Sequence, residues 1–207
     1  MKLYIARHGQ TDLNAQMRYQ GSSDWPLNDE GLRQAQLLAE RLPGDIDHII
    51  ASPLLRAQQT AQAVAGTRGL PVVTMPQFRE RDYGCFEALN REDILARYAE
   101  LWHAKIAQQW DAAPPGGETV REVVQRVEAG LVELQARLPG ATVLLVAHGF
   151  VARAVHFLLT RLHEAEFYLE PMLGNADFLH YPEFGHWRGR PTGSSSSSPG
   201  EAVAEGL

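Results

Sequence analysis

The segment that decides the fold is Leu3-Tyr4-Ile5-Ala6, which runs directly into Arg7-His8-Gly9-Gln10. A short apolar run of this kind is typical of a strand that is buried on both faces of a parallel sheet. Similar runs occur at residues 46–51 and 143–147, with a weaker one at 71–75, and residues 177–181 are suited to an edge strand. The chain therefore contains several short strands that each end at polar residues.

The segments between these strands have helical periodicity. Asn28 is placed to cap a helix that ends at Pro43-Gly44, and Thr119 opens a second helix with capping-box spacing to Glu122. Residues 150–159 form a third, directly after a strand. Two apolar faces are expected, the first made by Leu32, Ala35, Leu38 and Leu42, the second by Val120, Val123, Val127, Leu131, Leu134 and Leu138.

Strands that alternate with helices predict an α/β fold, with a mostly parallel central sheet between helices on both faces, in three layers. Residues 1–188 are predicted to form a single domain. Residues 84–118 interrupt the alternation with a mostly helical, charged insertion, which we call the lid. The segment 189–207 is rich in Ser, Gly and Pro and is predicted to be disordered, because it has little apolar surface to bury.

Composition excludes several classes of partner. The chain has 207 residues and a formal net charge of −6, without a long basic run, which argues against nucleic acid as the main partner. No apolar run approaches membrane-spanning length, so a cytoplasmic protein without a membrane partner is expected. Cys85 is the single cysteine, which excludes an internal disulfide. A homodimer stays open as the oligomeric state.

The residues that could take part in a reaction lie at the ends of the strands. Arg7 and His8 follow the first strand, Arg56 lies one helical turn beyond the second, and His148 follows the third. The carboxyl ends of parallel strands gather at one edge of a sheet, so these side chains are expected in one crevice. Such cations repel one another unless an anion lies between them, and the planar guanidinium group of arginine suits phosphate oxygens.

Neutral imidazole is a competent nucleophile towards phosphorus. One ring nitrogen of His8 can bond to the backbone while the other attacks, and cationic side chains can stabilise the transferred phosphoryl group without a metal or another cofactor. Gly9 and Gly149 allow the backbone to approach the phosphate closely. The residues therefore predict a site for a small phosphorylated metabolite.

Several motifs in a fixed order resemble the histidine phosphatase superfamily, in the branch that contains cofactor-dependent phosphoglycerate mutases and their phosphatase relatives. The resemblance covers roughly residues 1–182. The motifs are Arg7-His8-Gly9-Gln10-Thr11-Asp12-Leu13-Asn14, Gln20-Gly21, Pro26-Leu27 through Glu30-Gly31, Ser52-Pro53-Leu54-Leu55-Arg56-Ala57, Glu80-Arg81-Asp82-Tyr83-Gly84, Gly116-Gly117-Glu118 and Ala147-His148-Gly149.

The resemblance implies a role for each matching residue. It implies that His8 becomes phosphohistidine and that Glu80 protonates the leaving oxygen and then activates water. Arg7, Arg56 and His148 are implied to complete the phosphate pocket. Substrate contacts are implied for Asn14, Gln20, Gly21, Tyr83, Arg91 and Gly149, with no metal ligand among them.

The lid favours a phosphatase over a mutase. A mutase must hold a second anionic group, and the family's mutases carry Leu-Asn-Lys and later Lys-Ile-Trp-Arg-Arg after the glutamate. This chain has Leu89-Asn90-Arg91 in the first position and ends the second with Gln108-Gln109. Residues 85–118 contain three basic and six acidic residues, a net charge of −3. We therefore expect water to take the phosphoryl group, with mutase-type transfer as the alternative.

Two other functions are weighed against this one. Side chains of the types that bind metal ions occur at His8, Asp12, Glu80 and His148. However, two arginines directed at the same point would repel a cation. A non-catalytic protein on the same fold would be expected to lose pocket residues, whereas each expected residue is present. Phosphoryl transfer through His8 is the function that we expect.

Overall fold

A computed structural model describes residues 1–169 and 172–183 of the chain. The predicted disordered tail, from residue 189 onward, lies outside the described residues. The prediction of a single domain that ends at residue 188 also extends beyond them.

Five strands form one sheet in the order β3-β2-β4-β1-β5. They are β1 (Lys2–Arg7), β2 (His48–Ala51), β3 (Val72–Thr74), β4 (Thr142–Ala147) and β5 (Phe178–Tyr181). Strands β1 to β4 are parallel to their neighbours, and β5 pairs antiparallel with β1 at the edge. All the strand predictions are confirmed, except that β2 begins two residues late. Its pairing with β4 starts at His48 opposite Val143, although Ile46 is buried before it.

Six α-helices lie between and beside the strands in the described part of the chain. They are α1 (Asp12–Ala15), α2 (Asp29–Arg41), α3 (Leu55–Arg68), α4 (Arg91–His103), α5 (Val120–Arg137) and α6 (Gly149–Thr160). Short 3-10 turns occur at Pro76–Phe78, Gly84–Phe86, Ile106–Gln108 and Glu164–Glu166. No helix among the described residues is long and apolar enough to cross a membrane.

The two faces of the sheet are covered by different pairs of helices, which confirms the three-layer α/β prediction. Leu3 and Ile5 of β1 point into a core with α5 and α6, whereas Ala6 points into a core with α2 and α3. Every residue of β4 is buried. The central strands are thus apolar on both faces, as a parallel sheet between helical layers requires.

The N-terminus of α2 is fixed against the segment that follows β1. The side chain of Asn28 accepts a hydrogen bond from the backbone N–H of Gly31 at 2.9 Å, as the sequence predicted for a cap. Gly31 lies so close to the backbone of Gln10 that a methyl group there would overlap the Gln10 carbonyl oxygen. The predicted apolar face is wrong at Leu32, which is 47% exposed, because the packed face begins one residue earlier, at Gly31.

Helix α5 matches its prediction more closely. The side chain of Thr119 accepts from the backbone N–H of Glu122 at 3.1 Å, and the Glu122 carboxylate accepts from the backbone N–H of Thr119 at 2.8 Å, so the capping box is formed. The predicted apolar residues from Val120 to Leu134 are buried, and Leu138 packs against the same core.

The lid has a small core of its own. Phe86 and Ile94 are buried together with Tyr83, and partly buried residues such as Trp102 pack around them. Helix α4 is kinked at Tyr98, where the backbone leaves helical geometry. The lid is therefore a packed unit beside the sheet, and Trp110 joins it to the core that β1 forms with α5 and α6.

The close approach of Gly31 to Gln10 leads to a prediction about stability. Gly31→Ala should lower the free energy of unfolding by about 1–3 kcal/mol, because the added methyl group must displace backbone. Urea unfolding of the purified protein measures the change.

A matched control is Gly66→Ala, also within a helix, where an added methyl group meets nothing within 4 Å. That variant should gain about 0.5–1 kcal/mol from helix propensity. Equal stability of Gly31→Ala and the original protein would contradict the close contact.

Candidate active site

The carboxyl ends of β1, β2 and β4 bring together the side chains that the sequence predicted to converge. A cavity of about 370 Å³ opens above them, and Arg7, His8 and Glu80 line it. Arg56 and His148 are completely buried beside His8. The rings of His8 and His148 lie 5.1 Å apart, centre to centre.

The ring of His8 is held in one orientation by two hydrogen bonds. Its Nδ1 lies 2.7 Å from the carbonyl oxygen of Gly9, and a carbonyl can only accept, so Nδ1 carries the proton. The Nε of Arg56 donates to the His8 Nε2 at 3.2 Å, which requires a lone pair there. Burial lowers the pKa of His8 well below its ordinary value, and Arg56 and Arg7 lower it further. His8 is therefore a neutral imidazole with its lone pair on Nε2.

Arg56 is held by backbone carbonyl groups. Its two terminal nitrogens donate to the carbonyl oxygens of Ser23 at 2.9 Å and Gly21 at 2.8 Å. Burial lowers the pKa of Arg56 to about 10, so the guanidinium group stays charged at neutral pH. Within the described residues it forms no salt bridge, and its charge is available to an anion beside His8.

Arg7 adds a second guanidinium group, which is partly buried. One terminal nitrogen donates to the carbonyl oxygen of Leu173 at 2.8 Å, and its Nε is buried without a hydrogen-bond partner among the described residues. Burial lowers the pKa of Arg7, although the carboxyl group of Glu80 acts in the opposite direction. Arg7 and Arg56 thus place two positive charges around one ring.

His148 is oriented by Ser52. The His148 Nε2 lies 2.6 Å from the Ser52 hydroxyl oxygen, which also accepts from the backbone N–H of Leu54 at 3.3 Å. When the Ser52 hydroxyl donates to Nε2, the Nδ1 of His148 carries the proton. That Nδ1 is buried without a partner in the described part of the chain. Burial lowers the pKa of His148 well below its usual value, and nearby Arg56 lowers it further.

The carboxyl group of Glu80 lies at the first turn of α6. Its Oε2 accepts from the backbone N–H of Phe150 at 3.2 Å, and its Oε1 accepts from the backbone N–H of Arg81 at 2.9 Å. Burial raises the pKa of Glu80 above its ordinary value, although these hydrogen bonds and Arg56 act in the opposite direction. A carboxyl group with a raised pKa can deliver a proton closer to neutral pH.

Four other predicted contacts line the cavity. Asn14 lies in the capping box of α1, and Gln20 has a buried Nε2 without a partner among the described residues. Tyr83 is buried beneath the guanidinium group of Arg81, whose carbon lies 5.3 Å from the ring centre. Burial raises the pKa of Tyr83 well above its ordinary value, so the hydroxyl keeps its proton. Gly149 also lines the cavity, beside Arg7.

Two predicted contacts do not reach the cavity. Arg91 is exposed at the first residue of α4, because the lid turns that end of the helix outward. Gly21 lies behind Arg56, where its carbonyl holds the guanidinium group. A methyl group at Gly21 would overlap the Arg81 carbonyl oxygen and the Glu87 carboxylate. The structure therefore places both residues outside the cavity.

Other lining residues were not predicted. They are Tyr19, Phe150, Tyr168, Met17, Met172, Arg18 and Arg153, with Ala107 and Gln108 from the lid. Arg153 lies in α6, five residues beyond His148, and that spacing does not place the two on one helix face, so the sequence carried no signal for it. Tyr168 and Met172 follow α6 in a segment with no recognisable pattern. Arg18 and Arg153 supply the cavity with positive charge from outside the lid.

The predicted metal-binding alternative has little geometric support. Across residues 1–169 and 172–183, no group of three His, Cys, Asp or Glu side chains is arranged to hold a metal ion. Asp12 instead accepts a hydrogen bond from Asn28 at 3.3 Å on the protein surface.

Comparison with known proteins gives consistent matches. The model of the histidine phosphatase superfamily (branch 1) matches residues 3–196. The uncharacterized phosphatase PhoE of Bacillus subtilis is 38% identical over 76% of this chain and 75% of the relative. The probable phosphoglycerate mutase GpmB of Yersinia pestis is 41% identical over 72% of this chain and 70% of the relative.

Solved structures agree with the sequence comparisons. A mycobacterial glucosyl-3-phosphoglycerate phosphatase superimposes with a TM-score of 0.80 and 33% identity, over 86% of this chain and 91% of that one. The YhfR protein of Bacillus stearothermophilus gives a TM-score of 0.81 and 28% identity, over 94% and 98% of the two chains. The chain is therefore an enzyme that belongs to the histidine phosphatase superfamily (branch 1), with an activity of the phosphatase or phosphoglycerate mutase type.

Proposed function

We propose that this enzyme is a metal-independent phosphatase that hydrolyses small phosphate monoesters through a phosphohistidine at His8, without a cofactor. The observation that carries the proposal is the lone pair on the His8 Nε2. It is fixed by the Nδ1 hydrogen bond to Gly9 and is flanked by the charged group of Arg56. A neutral nucleophile beside buried positive charge is what attack on a phosphate dianion requires.

In the first step, the bound phosphate takes the Arg56 Nε–H from the His8 Nε2, and the freed lone pair of Nε2 attacks phosphorus while the ester P–O bond breaks. The leaving oxygen takes the proton of Glu80, whose raised pKa keeps the carboxyl group protonated to a higher pH than usual. Arg7, Arg56 and the Nδ1–H of His148 stabilise the charge on the phosphoryl oxygens. Because these groups are already in place, little reorganisation is needed when the charge develops.

In the second step, the carboxylate of Glu80 accepts a proton from water as that water attacks phosphorus. The Nε2–P bond breaks, its electron pair returns to His8, and inorganic phosphate leaves. Glu80 is then protonated again, so both residues return to their starting states. Each proton taken in one step is returned in the other.

The lid supports hydrolysis over return of the phosphoryl group to an organic acceptor. Gln108 lines the cavity at the position where the mutases resembled by this chain carry an arginine. Gln109 donates to the carbonyl oxygen of Ala104 at 2.9 Å and lies outside the cavity. A neutral amide holds a second anionic group more weakly than a guanidinium group does. Water is therefore the favoured acceptor.

Phosphoglycerate mutase-type transfer is the second candidate function. It is favoured by the identity of 41% to a probable phosphoglycerate mutase and by two arginines, Arg18 and Arg153, that line the cavity. Arg18, however, donates to the carboxylate of Asp93 at 2.7 Å, which neutralises much of its charge. Aromatic side chains form much of the remaining wall, which suits an organic ester of moderate size.

The proposal includes the setting of the reaction. The expected substrate is a small phosphorylated metabolite, and the expected location is the cytoplasm. Neither a nucleic acid nor a membrane is part of the proposed activity.

The phosphohistidine leads to a direct test. Rapid quenching during hydrolysis of a ³²P-labelled ester should trap a label on the protein that is acid-labile and base-stable, since a phosphoramidate bond has that stability. His8→Ala should carry no label, whereas His156→Ala, a histidine outside the cavity, should be labelled normally. A label of unchanged size on His8→Ala would contradict the proposed nucleophile.

The role of Glu80 leads to a test with two kinds of ester. Glu80→Gln should reduce hydrolysis of an alkyl phosphate by about 10²–10⁴-fold, because an alkoxide leaves poorly without a proton. It should reduce hydrolysis of p-nitrophenyl phosphate much less, because that phenolate leaves easily. Equal losses on both esters would contradict general acid catalysis.

The pH profile of kcat/KM for the alkyl ester should show the titration of Glu80. Activity requires neutral His8 and protonated Glu80, so it should fall as pH drops through the lowered pKa of His8 and as pH rises through the raised pKa of Glu80. In Glu80→Gln the loss at high pH should disappear while the loss at low pH stays. An unchanged alkaline limb would assign that limb to another group.

The choice between water and an organic acceptor can be measured with 3-phosphoglycerate and a trace of 2,3-bisphosphoglycerate. Release of inorganic phosphate should exceed formation of 2-phosphoglycerate. Gln108→Arg should lower KM for 3-phosphoglycerate by about tenfold, the usual effect of a charge-assisted hydrogen bond. Gln109→Arg, which lies outside the cavity, is the matched control. Faster isomerisation than hydrolysis by the unmodified protein would favour the mutase alternative.

A further inference from the structure

We propose that Asn175 is a positioning residue that fixes the direction of the side-chain amides of Asn14 and Gln20, so that both present N–H groups to the phosphate. The proposal rests on the proposed phosphate site. It assigns a function to a residue that no sequence motif singled out.

The backbone around Asn175 is fixed against the end of β1. The backbone N–H of Ala176 lies 3.1 Å from the carbonyl oxygen of Arg7, and the backbone N–H of Arg7 donates to the carbonyl oxygen of Asp177 at 3.0 Å. On the other side, the carbonyl oxygen of Leu173 accepts from the Arg7 guanidinium group. Asn175 is therefore held beside the backbone of His8.

The orientation of the Asn175 amide is decided by a backbone group. Its nearest atom lies 3.1 Å from the carbonyl oxygen of His8, which can only accept, so that atom must be Nδ2. The same Nδ2 lies 3.1 Å from the Oδ1 of Asn14. An amide nitrogen has two hydrogens, and both are used in these bonds.

The orientation of Asn14 follows from two donors. Its Oδ1 accepts from Asn175 and also from the backbone N–H of Thr11, at 3.2 Å, which can only donate. The oxygen is thus fixed on the side away from Gln20, and the Asn14 Nδ2 faces the Gln20 Oε1 at 3.2 Å. One hydrogen of that Nδ2 is used by Gln20, and the other is available to the cavity that Asn14 lines.

The orientation of Gln20 follows in turn. Its Oε1 accepts from the Asn14 Nδ2 and lies 2.7 Å from the hydroxyl oxygen of Thr11, which donates to it. The Gln20 Nε2 is therefore left for the cavity, and it is buried without a partner among the described residues. If either amide were reversed, a carbonyl oxygen would face the phosphate and repel it.

The amides are oriented in series: Asn175 orients Asn14, and Asn14 orients Gln20. Without Asn175, the Asn14 amide would be held on its oxygen side by Thr11 alone, and the donors would be less well fixed. Asn175 would act through these amides and not through the nucleophile, so phosphate affinity should depend on it. A dependence of phosphate affinity on Asn175 would distinguish this positioning role from a general contribution of Asn175 to folding.

The test is a double-mutant cycle read out by titration calorimetry with inorganic phosphate, which needs no turnover. Asn175→Ala should weaken phosphate binding by about tenfold, the effect expected for hydrogen bonds to a charged group. In an Asn14→Ala background the same substitution should change affinity less than twofold, because the amide through which it acts is gone. Equal losses in both backgrounds, or unchanged affinity in Asn175→Ala, would overturn the proposal.

Asp47→Ala is the matched control, since it also removes a side chain that bonds to backbone, at the opposite end of the sheet. It should lower stability without changing phosphate affinity. If Asn175→Ala does not fold, Asn175→Leu keeps the branched shape of the side chain and removes its donors without adding a charge, and it must lose affinity as well. A protein that binds phosphate but hydrolyses no ester would overturn the phosphatase proposal and leave the role of Asn175 standing.

Discussion

The rest of the site depends on two guanidinium groups beside a neutral histidine, one of them buried and the other partly buried. Arg7 and Arg56 have no carboxylate salt bridge among the described residues, and burial of charge without a partner is costly. The chain offsets that cost with backbone carbonyl oxygens, from Gly21 and Ser23 for Arg56 and from Leu173 for Arg7. Carbonyl groups stabilise the charge without neutralising it, so the positive potential at the end of the sheet is kept for an anion.

That potential also sets the protonation states of the titratable groups. Burial and the two arginines hold the pKa of His8 and of His148 well below their usual values, whereas burial raises the pKa of Glu80. The pKa of the proposed nucleophile and the pKa of the proposed acid are therefore each shifted in the direction that favours the reactive form, within one cavity. Environments that move two pKa values in opposite directions are typical of sites that transfer protons.

The sequence predicted the fold and the site where a pattern or a residue type has a single interpretation. The runs that form β1 and β4, and the side chains Arg7, His8, Arg56 and His148 after the strand ends, follow from period and topology alone. The sequence could not predict contacts that depend on the path of the loops. Arg91, for example, is exposed because of the path that the lid takes.

The face of α2 was misjudged for a different reason. Spacing allows both Leu32 and Gly31 to face the core, and only the packing against the Gln10 backbone decides between them. Asn175 had no signal, since its importance arises from hydrogen bonds to residues more than 150 positions away.

The separate core of the lid has a consequence for which of its residues can be substituted. Phe86 and Ile94 stabilise the lid from within, and Arg81 ties it to the catalytic floor mainly through backbone oxygens, those of Ala107 and Glu118. Contacts to backbone tolerate almost any side chain at the contacted position. A substitution at Ala107 therefore leaves its contact to Arg81 in place, whereas Glu87 is not replaceable in this way, because its carboxylate accepts from the backbone N–H groups of Gly21 and Ser22 in the loop that holds Arg56.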